Sequence, residues 1–304
     1  MPNTSSGKSN SDTPKTRYYL TLFYDDRSSI GEQDVLRLHQ ELRKITSPKD
    51  KTEIFALLHS NGGSASSTYK IANMIRSKCA DLTIIVPQSA KSAATLMTLM
   101  ADRIVMGQES ELGPLDLPIE HPLQEGIFLS ALDGVNCLEY LSSVAANMSF
   151  KLGLKIRQEV RLSRRDSIEI ATRFSRGFME PIVSQLEPMV INMCYRSLHI
   201  AERYGKAILR EGMFRNADDA EKKSESVIHK LVWEYPEHGF AICSREANEL
   251  GLNIVDAESF DNWEKIWSFH IELLGQKKKV IQAVSPDEAA ATPTHNSKKE
   301  SQHE

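Results

Sequence analysis

The sequence predicts an α/β fold, with a parallel sheet in the front half and a helix-rich back half. Three observations predict it. The apolar runs FALL (55–58) and TIIV (83–86) are continuous rather than alternating, as in strands covered on both faces. Segments of helical spacing separate these runs, which implies βαβ units. From about residue 138 to 210, apolar residues recur at three- and four-residue steps.

In chain order, residues 1–16 are rich in Ser, Asn, Pro and Lys and are expected to be a disordered tail. Residues 18–24 (YYLTLFY) predict a strand. Residues 32–45 predict a helix with Val35, Leu36, Leu38, Leu42 and Ile45 on its apolar side. Strands at 54–58, 82–86 and 104–106 then alternate with helices at 66–77 and 93–100. In the back half, the stripe through Val190, Cys194, Leu198, Ala201 and Ile208 predicts a helix buried against the sheet or a partner subunit. SREANELGL (244–252) predicts a short helix with Ser244 at the N-cap and Gly251 at the stop, and Val255 returns to strand. The KKK run at 277–279 opens a second charged tail, 277–304. The body, 17–276, reads as one domain.

The formal net charge of −4 leaves no basic stripe of the kind nucleic acid requires. Cys79, Cys137, Cys194 and Cys243 are scattered without a CxxC pair, which reads as reduced thiols in a cytoplasmic protein. The N-terminus lacks the apolar core of a signal peptide. The longest stretch free of Asp, Glu, Lys and Arg, residues 54–69, is interrupted by Asn61, Gly62, Gly63 and several serines. A membrane span needs roughly 20 mostly apolar residues, so none is expected.

Two strand-to-helix turns carry the chemistry. Gly62 and Gly63 follow the second strand, where glycine allows positive φ and close approach of a substrate to backbone N–H groups. A glycine pair alone is an ordinary turn. Ser92 lies in PQSAKSAATLM, where Pro87 stops the strand and Ser89, Ala90, Ala93 and Ala94 leave room for a substrate carbonyl. The bland alternative for Ser92 is a helix N-cap, and local pattern leaves the two even. Taken together, the turns suggest an acyl-transfer site with Ser92 as nucleophile and the N–H groups of Gly62 and Ala93 as oxyanion donors.

A serine nucleophile needs a base. His238, His229, His121, Lys151 and Lys155 are all open at this point. A histidine base needs an orienting carboxylate. Asp102 is set aside, because a continuous helix from Ser92 would put it about 15 Å along the axis. Asp116, in the loop LGPLD, is the better candidate, although a turn aspartate reads the same way.

The stretch SNGG…AKSAATLMTLMADRIVMG…LGPLD resembles the Clp protease/crotonase superfamily. With the later YPEHGFAI…EANELGL, it is most similar to the serine dehydrogenase proteinase (SDH) family over roughly residues 18–258. The resemblance implies a repeated β-β-α spiral core and a serine endopeptidase with a triad in the order Ser92, Asp116, His238. It also implies Gly62, Gly63 and Ala93 at the oxyanion hole, homo-oligomers, peptide or protein substrates, and no metal or other cofactor. Asn61 stands where Clp proteases have proline. The ADRIVMG segment is also similar to signal peptide peptidase A, which implies a serine–lysine dyad with Lys151 or Lys155 as base. Two readings remain beside these: a crotonase-like enzyme acting on CoA thioesters, and a non-catalytic scaffold.

Overall fold

A computed structural model describes residues 15–116, 118–120 and 125–285. The elements in order are β1 (Thr16–Phe23), α1 (Glu32–Leu42), β2 (Thr52–His59), α2 (Ala65–Lys78), β3 (Asp81–Val86), β4 (Ser89–Ala90), α3 (Ala93–Thr98), β5 (Arg103–Met106) and β6 (Glu111–Leu112). There follow β7 (Ile119–Glu120), β8 (Phe128–Leu129), α4 (Ala131–Glu159), α5 (Arg164–Val183), α6 (Pro188–Glu211) and α7 (Ala220–His229). The chain closes with β9 (Ile242–Cys243), α8 (Ser244–Glu249), β10 (Ile254–Asp256), α9 (Trp263–Gln276) and β11 (Val280–Val284). The fold is mixed α/β. It divides into two compact units, one of residues up to 112 with 206–224 and those from 241, the other of 113–205 with 225–240.

The first unit is built on a six-stranded sheet in the order β10-β5-β3-β2-β1-β11. All neighbours are parallel except β1 and β11. The continuous apolar runs occupy its middle, and Ile54, Ala56, Leu58, Ile84 and Val86 are fully buried, as strands covered on both faces require. Helix α1 ends at Leu42 and buries Asp34, Leu38 and Leu42 at four-residue steps. Leu36, assigned above to its apolar side, is exposed, because the buried stripe is narrower than the apolar count suggests.

The C-terminal boundary is a correction. The sequence places residues from 277 onward in a disordered tail, yet 280–284 form β11, antiparallel to β1. Lys279 explains this: its ammonium pairs at 3.0 Å with the buried carboxylate of Asp34 and lies over the Tyr24 ring. The backbone N–H of Ala283 also donates to Glu41. A lysine that reads as solvated is the partner of a buried charge.

Two further expectations change. Helix α3 stops at Thr98, so Asp102 is not on a helix shared with Ser92. Asp102 instead accepts from Arg76 Nη1 at 2.9 Å and from Leu82 N at 2.8 Å, and it also pairs with Arg215. Helix α8 starts at Ser244, with Cys243 rather than Ser244 at the N-cap and no side-chain cap bond. Gly251 stops it with φ of +93°, as expected.

The second unit is dominated by the α4–α5 hairpin. Helix α5 turns a buried stripe of Ser167, Ala171, Ser175 and Met179 toward the interior. Small side chains there let the backbones approach: a Cβ on Gly153 of α4 would sit 3.6 Å from that of Ala171. Helix α6 buries Val190, Cys194, Leu198 and Ala201, the predicted stripe, with the Cys194 thiol filling the space above Gly134 of α4.

Candidate active site

The first unit supplies a paired turn. Ser60 N donates to Ser89 O and Lys91 N donates to Ser60 O, so the chain after β2 is zipped to the chain before α3. On the far side, Ile30 N donates to Gly62 O and Ser64 N donates to Ile30 O. This double attachment forces positive φ at Gly62 (+112°) and Gly63 (+147°). Neither position tolerates a side chain. A Cβ on Gly62 would lie 2.9 Å from Ser92 Cβ, and one on Gly63 would collide with the Ile30 backbone.

Ser92 sits against this turn in a strained backbone conformation, φ 51° and ψ −120°. It is buried, and its hydroxyl has no hydrogen-bond partner among the described residues. Although Ser92 occupies the N-cap position of α3, it makes no side-chain capping bond. The bland alternative therefore does not describe this side chain. The Gly62 N–H is engaged, donating to Ser60 Oγ at 3.0 Å. The N–H groups of Gly63 and Ala93 donate to no described acceptor, and the latter stands at the first turn of α3.

The second unit brings together two residues 122 positions apart in the sequence (238 less 116). Asp116 is fully buried. Its Oδ2 accepts from Ser130 Oγ at 2.5 Å and its Oδ1 from Leu132 N at 2.9 Å. Ser130 also N-caps α4 by accepting from Asp133 N, so the carboxylate rests at a helix N-terminus, where negative charge is favoured. His238 Nδ1 stands 3.9 Å from Asp116 Oδ2. That nitrogen is buried and makes no hydrogen bond among the described residues. The Cys194 thiol is pushed up first by burial and then by the charge of Asp116.

The other candidate bases lie elsewhere. Lys151 and Lys155 are exposed on α4, 19 and 23 residues beyond Leu132. At 1.5 Å per residue they stand roughly 30 Å along the helix from the Asp116 carboxylate. His229 lies 3.9 Å from Glu234, and His121 falls outside the described residues. Among the described residues, no three His, Cys, Asp or Glu side chains are grouped to hold a metal ion. No described helix is long and apolar enough to cross a membrane.

Two features escape sequence reasoning. Ser130 could have been found as the first residue of a Ser-x-x-Asp capping pattern, but nothing local links it to Asp116. The second is a buried histidine pair. His59, at the end of β2, and His270 of α9 have ring centroids 4.9 Å apart, and His270 Nε2 contacts Gln88 Oε1 at 3.3 Å. Burial pulls His270 down to about 4, helped by the neighbouring His59, and burial also lowers His59.

Residues 33–129 match the family model of ClpP-like SDH-type serine proteinases. The matched segment contains Gly62, Gly63, Ser92 and Asp116, whereas His238 lies beyond it. Two uncharacterized proteins of Methanocaldococcus jannaschii are 40% identical over 76 residues and 33% identical over 75 residues. Each match takes in 25% of this chain and 26% of the relative, so the chain spans about a quarter of the length of the curated relatives it matches. Among solved structures, a serine-to-alanine mutant of the 1510-N membrane-bound stomatin-specific protease aligns at 18% identity, covering 53% of this chain and 72% of that one, with a TM-score of 0.32. A lysine-to-alanine mutant of the same protease, in complex with a substrate peptide, aligns at 16% identity, 84% and 98% coverage, and a TM-score of 0.33.

Proposed function

We propose that the chain is a serine endopeptidase that cleaves peptide bonds through an acyl-enzyme on Ser92. The observation that carries this reading is the Ser92 turn: a strained serine, pressed against Gly62, whose hydroxyl and the nearby N–H groups of Gly63 and Ala93 have no hydrogen-bond partner among the described residues. Strain of this kind persists where the surroundings over-determine it, commonly at functional sites.

In the reaction, Ser92 Oγ attacks the peptide carbonyl carbon as His238 Nε2 takes the hydroxyl proton. The carbonyl π pair moves onto oxygen, where the N–H groups of Gly63 and Ala93 receive it, at roughly 3 kcal/mol per donor. Gly63 takes the place first given to Gly62, whose N–H is held by Ser60. The C–N bond then breaks and His238 returns the proton to the leaving amine. Water hydrolyses the ester by the same steps in reverse. Asp116 holds the tautomer with the proton on His238 Nδ1. The 3.9 Å separation supports this triad, since catalytic bonds are often long before substrate binds. The rival dyad would use Lys151 or Lys155. The same reading takes peptides or proteins as substrates and a homo-oligomer in the cytoplasm as the working form.

The test is labelling by a fluorophosphonate probe, with peptide mapping of the modified residue. The expected result is modification of Ser92, lost in Ser92→Ala and strongly reduced in His238→Ala. Unlabelled but folded wild type would exclude the nucleophile. Labelling that survives His238→Ala and disappears in Lys151→Ala or Lys155→Ala would replace the triad by the dyad.

A further inference from the structure

The α4–α5 hairpin has a surface that its own packing leaves uncovered. Phe150, Phe174 and Phe178 are each more than half exposed, at 68%, 56% and 52%. Ile170, Phe174, Phe178 and Ile182 follow at four-residue steps along α5, beside the buried small-residue stripe but outside it. A row of this length at helical spacing is an apolar ridge, not scattered surface hydrophobics.

The charge around the turn of this hairpin runs against the rest of the protein. Residues 151–165 contain Lys151, Lys155, Arg157, Arg161, Arg164 and Arg165 against the single acid Glu159, a local charge of +5 in a chain of net −4. All six basic residues are exposed, and none forms an ion pair among the described residues. Further along α5, by contrast, Arg173 and Arg176 are paired with Glu169 and Glu180. The uncompensated charge is thus concentrated at one end of the apolar ridge.

We propose that the α4–α5 hairpin docks on a membrane surface bearing anionic headgroups. The exposed phenylalanines enter the headgroup boundary while the basic turn residues meet lipid phosphates. A helical surface that is apolar on one side and basic beside it matches an anionic bilayer in both respects. The cluster sits at one end of the ridge, so a second copy packed in parallel would set +5 against +5, whereas an anionic bilayer complements the charge and the apolar row together. The docking is peripheral and needs no spanning helix.

The test is co-sedimentation of the full chain with vesicles. Wild type should pellet with phosphatidylcholine vesicles containing about a quarter of phosphatidylglycerol, and not with phosphatidylcholine alone. Raising salt from about 0.1 to 1 M should release it, because screening shortens to a few ångströms. Arg157→Glu/Arg161→Glu/Arg164→Glu exchanges three basic side chains for acidic ones, taking the local charge from +5 to −1, and should lower the partition coefficient by at least about a hundredfold. Phe174→Ser/Phe178→Ser should lower it without removing the preference for anionic lipid. Circular dichroism verifies that both variants fold. Folded wild type that stays in the supernatant overturns the proposal, as does equal pelleting with both lipids. Self-association that the same variants abolish, without vesicle binding, would assign the surface to a second copy instead.

Discussion

Replacing Ser92 by alanine separates function from stability. The Ser92 hydroxyl is buried and unpartnered among the described residues, so the folded protein carries a desolvated polar group with no compensating bond. Mutational data put that penalty at about 1–3 kcal/mol. Alanine keeps Cβ and therefore keeps the strain of φ 51°. The net expectation for Ser92→Ala is a gain of about 1 kcal/mol, or roughly 2 °C in melting midpoint for a chain of this size. Ser92→Gly relieves some strain, at most about 2 kcal/mol, but loses roughly 0.5–1 kcal/mol to unfolded-chain entropy. It should match or slightly exceed alanine. The assay is differential scanning calorimetry with parallel urea titrations, alongside fluorophosphonate labelling. A loss of about 1 kcal/mol or more in Ser92→Ala would mean that the hydroxyl is bonded in the folded protein. That would refute the unpartnered hydroxyl on which the expected gain rests, and an equal loss in a His238→Ala background would exclude His238 as the bonded partner.

Gly63→Ala should lower stability by about 3 kcal/mol, since its Cβ would meet the Ile30 backbone at a φ of +147°; an unchanged urea midpoint would refute the steric argument. Asp102→Ala strands Arg76 and Arg215 and leaves Leu82 N without its acceptor, an expected loss of about 3–5 kcal/mol, with Asp102→Asn milder in the same titration. Acid should destabilise the first unit through His270 and His59. Both have folded values below the unfolded value of about 6.5, so the stability they confer is complete above that pH and is lost as pH falls toward about 4. For His270 the loss amounts to up to about 3 kcal/mol. Urea midpoints measured across that range should fall in wild type and flatten in His270→Gln; equal slopes in the two would exclude this origin.

The elements legible in the sequence are those fixed by local physics. Continuous runs such as FALL place β2 in the middle of a covered sheet, and Pro87 with its small neighbours marks the turn before α3. What is not legible depends on distant partners. Lys279 reads as part of a charged tail until Asp34 is found beneath it. Asp102 stands apart from the chemistry for a reason other than helical distance: no long helix carries it, and it is occupied with two arginines and a backbone N–H. Ser130 looks like any capping serine, although it also donates to Asp116. No spacing rule joins Asp116 to His238, because a long and mostly helical stretch of chain intervenes. The family resemblance alone suggests that pair.

The glycine pair and the serine are one device rather than two neighbouring signals. A Cβ at Gly62 would meet both Ser92 Cβ and the Lys91 carbonyl, so the tight packing that strains Ser92 exists only because residue 62 has no side chain. Ser60 closes the arrangement from beneath. Its backbone is bonded to Ser89 and Lys91, and its hydroxyl takes the Gly62 N–H. With that N–H engaged, the N–H groups of Gly63 and Ala93 are the ones with no acceptor among the described residues, as the proposed oxyanion role requires. The departure at Asn61 from the proline of Clp proteases is tolerable for the same reason: the turn is held by bonds from Ile30, Ser89 and Lys91, none of which involves residue 61. Relaxing any of these supports should therefore weaken labelling of Ser92 before it unfolds the sheet.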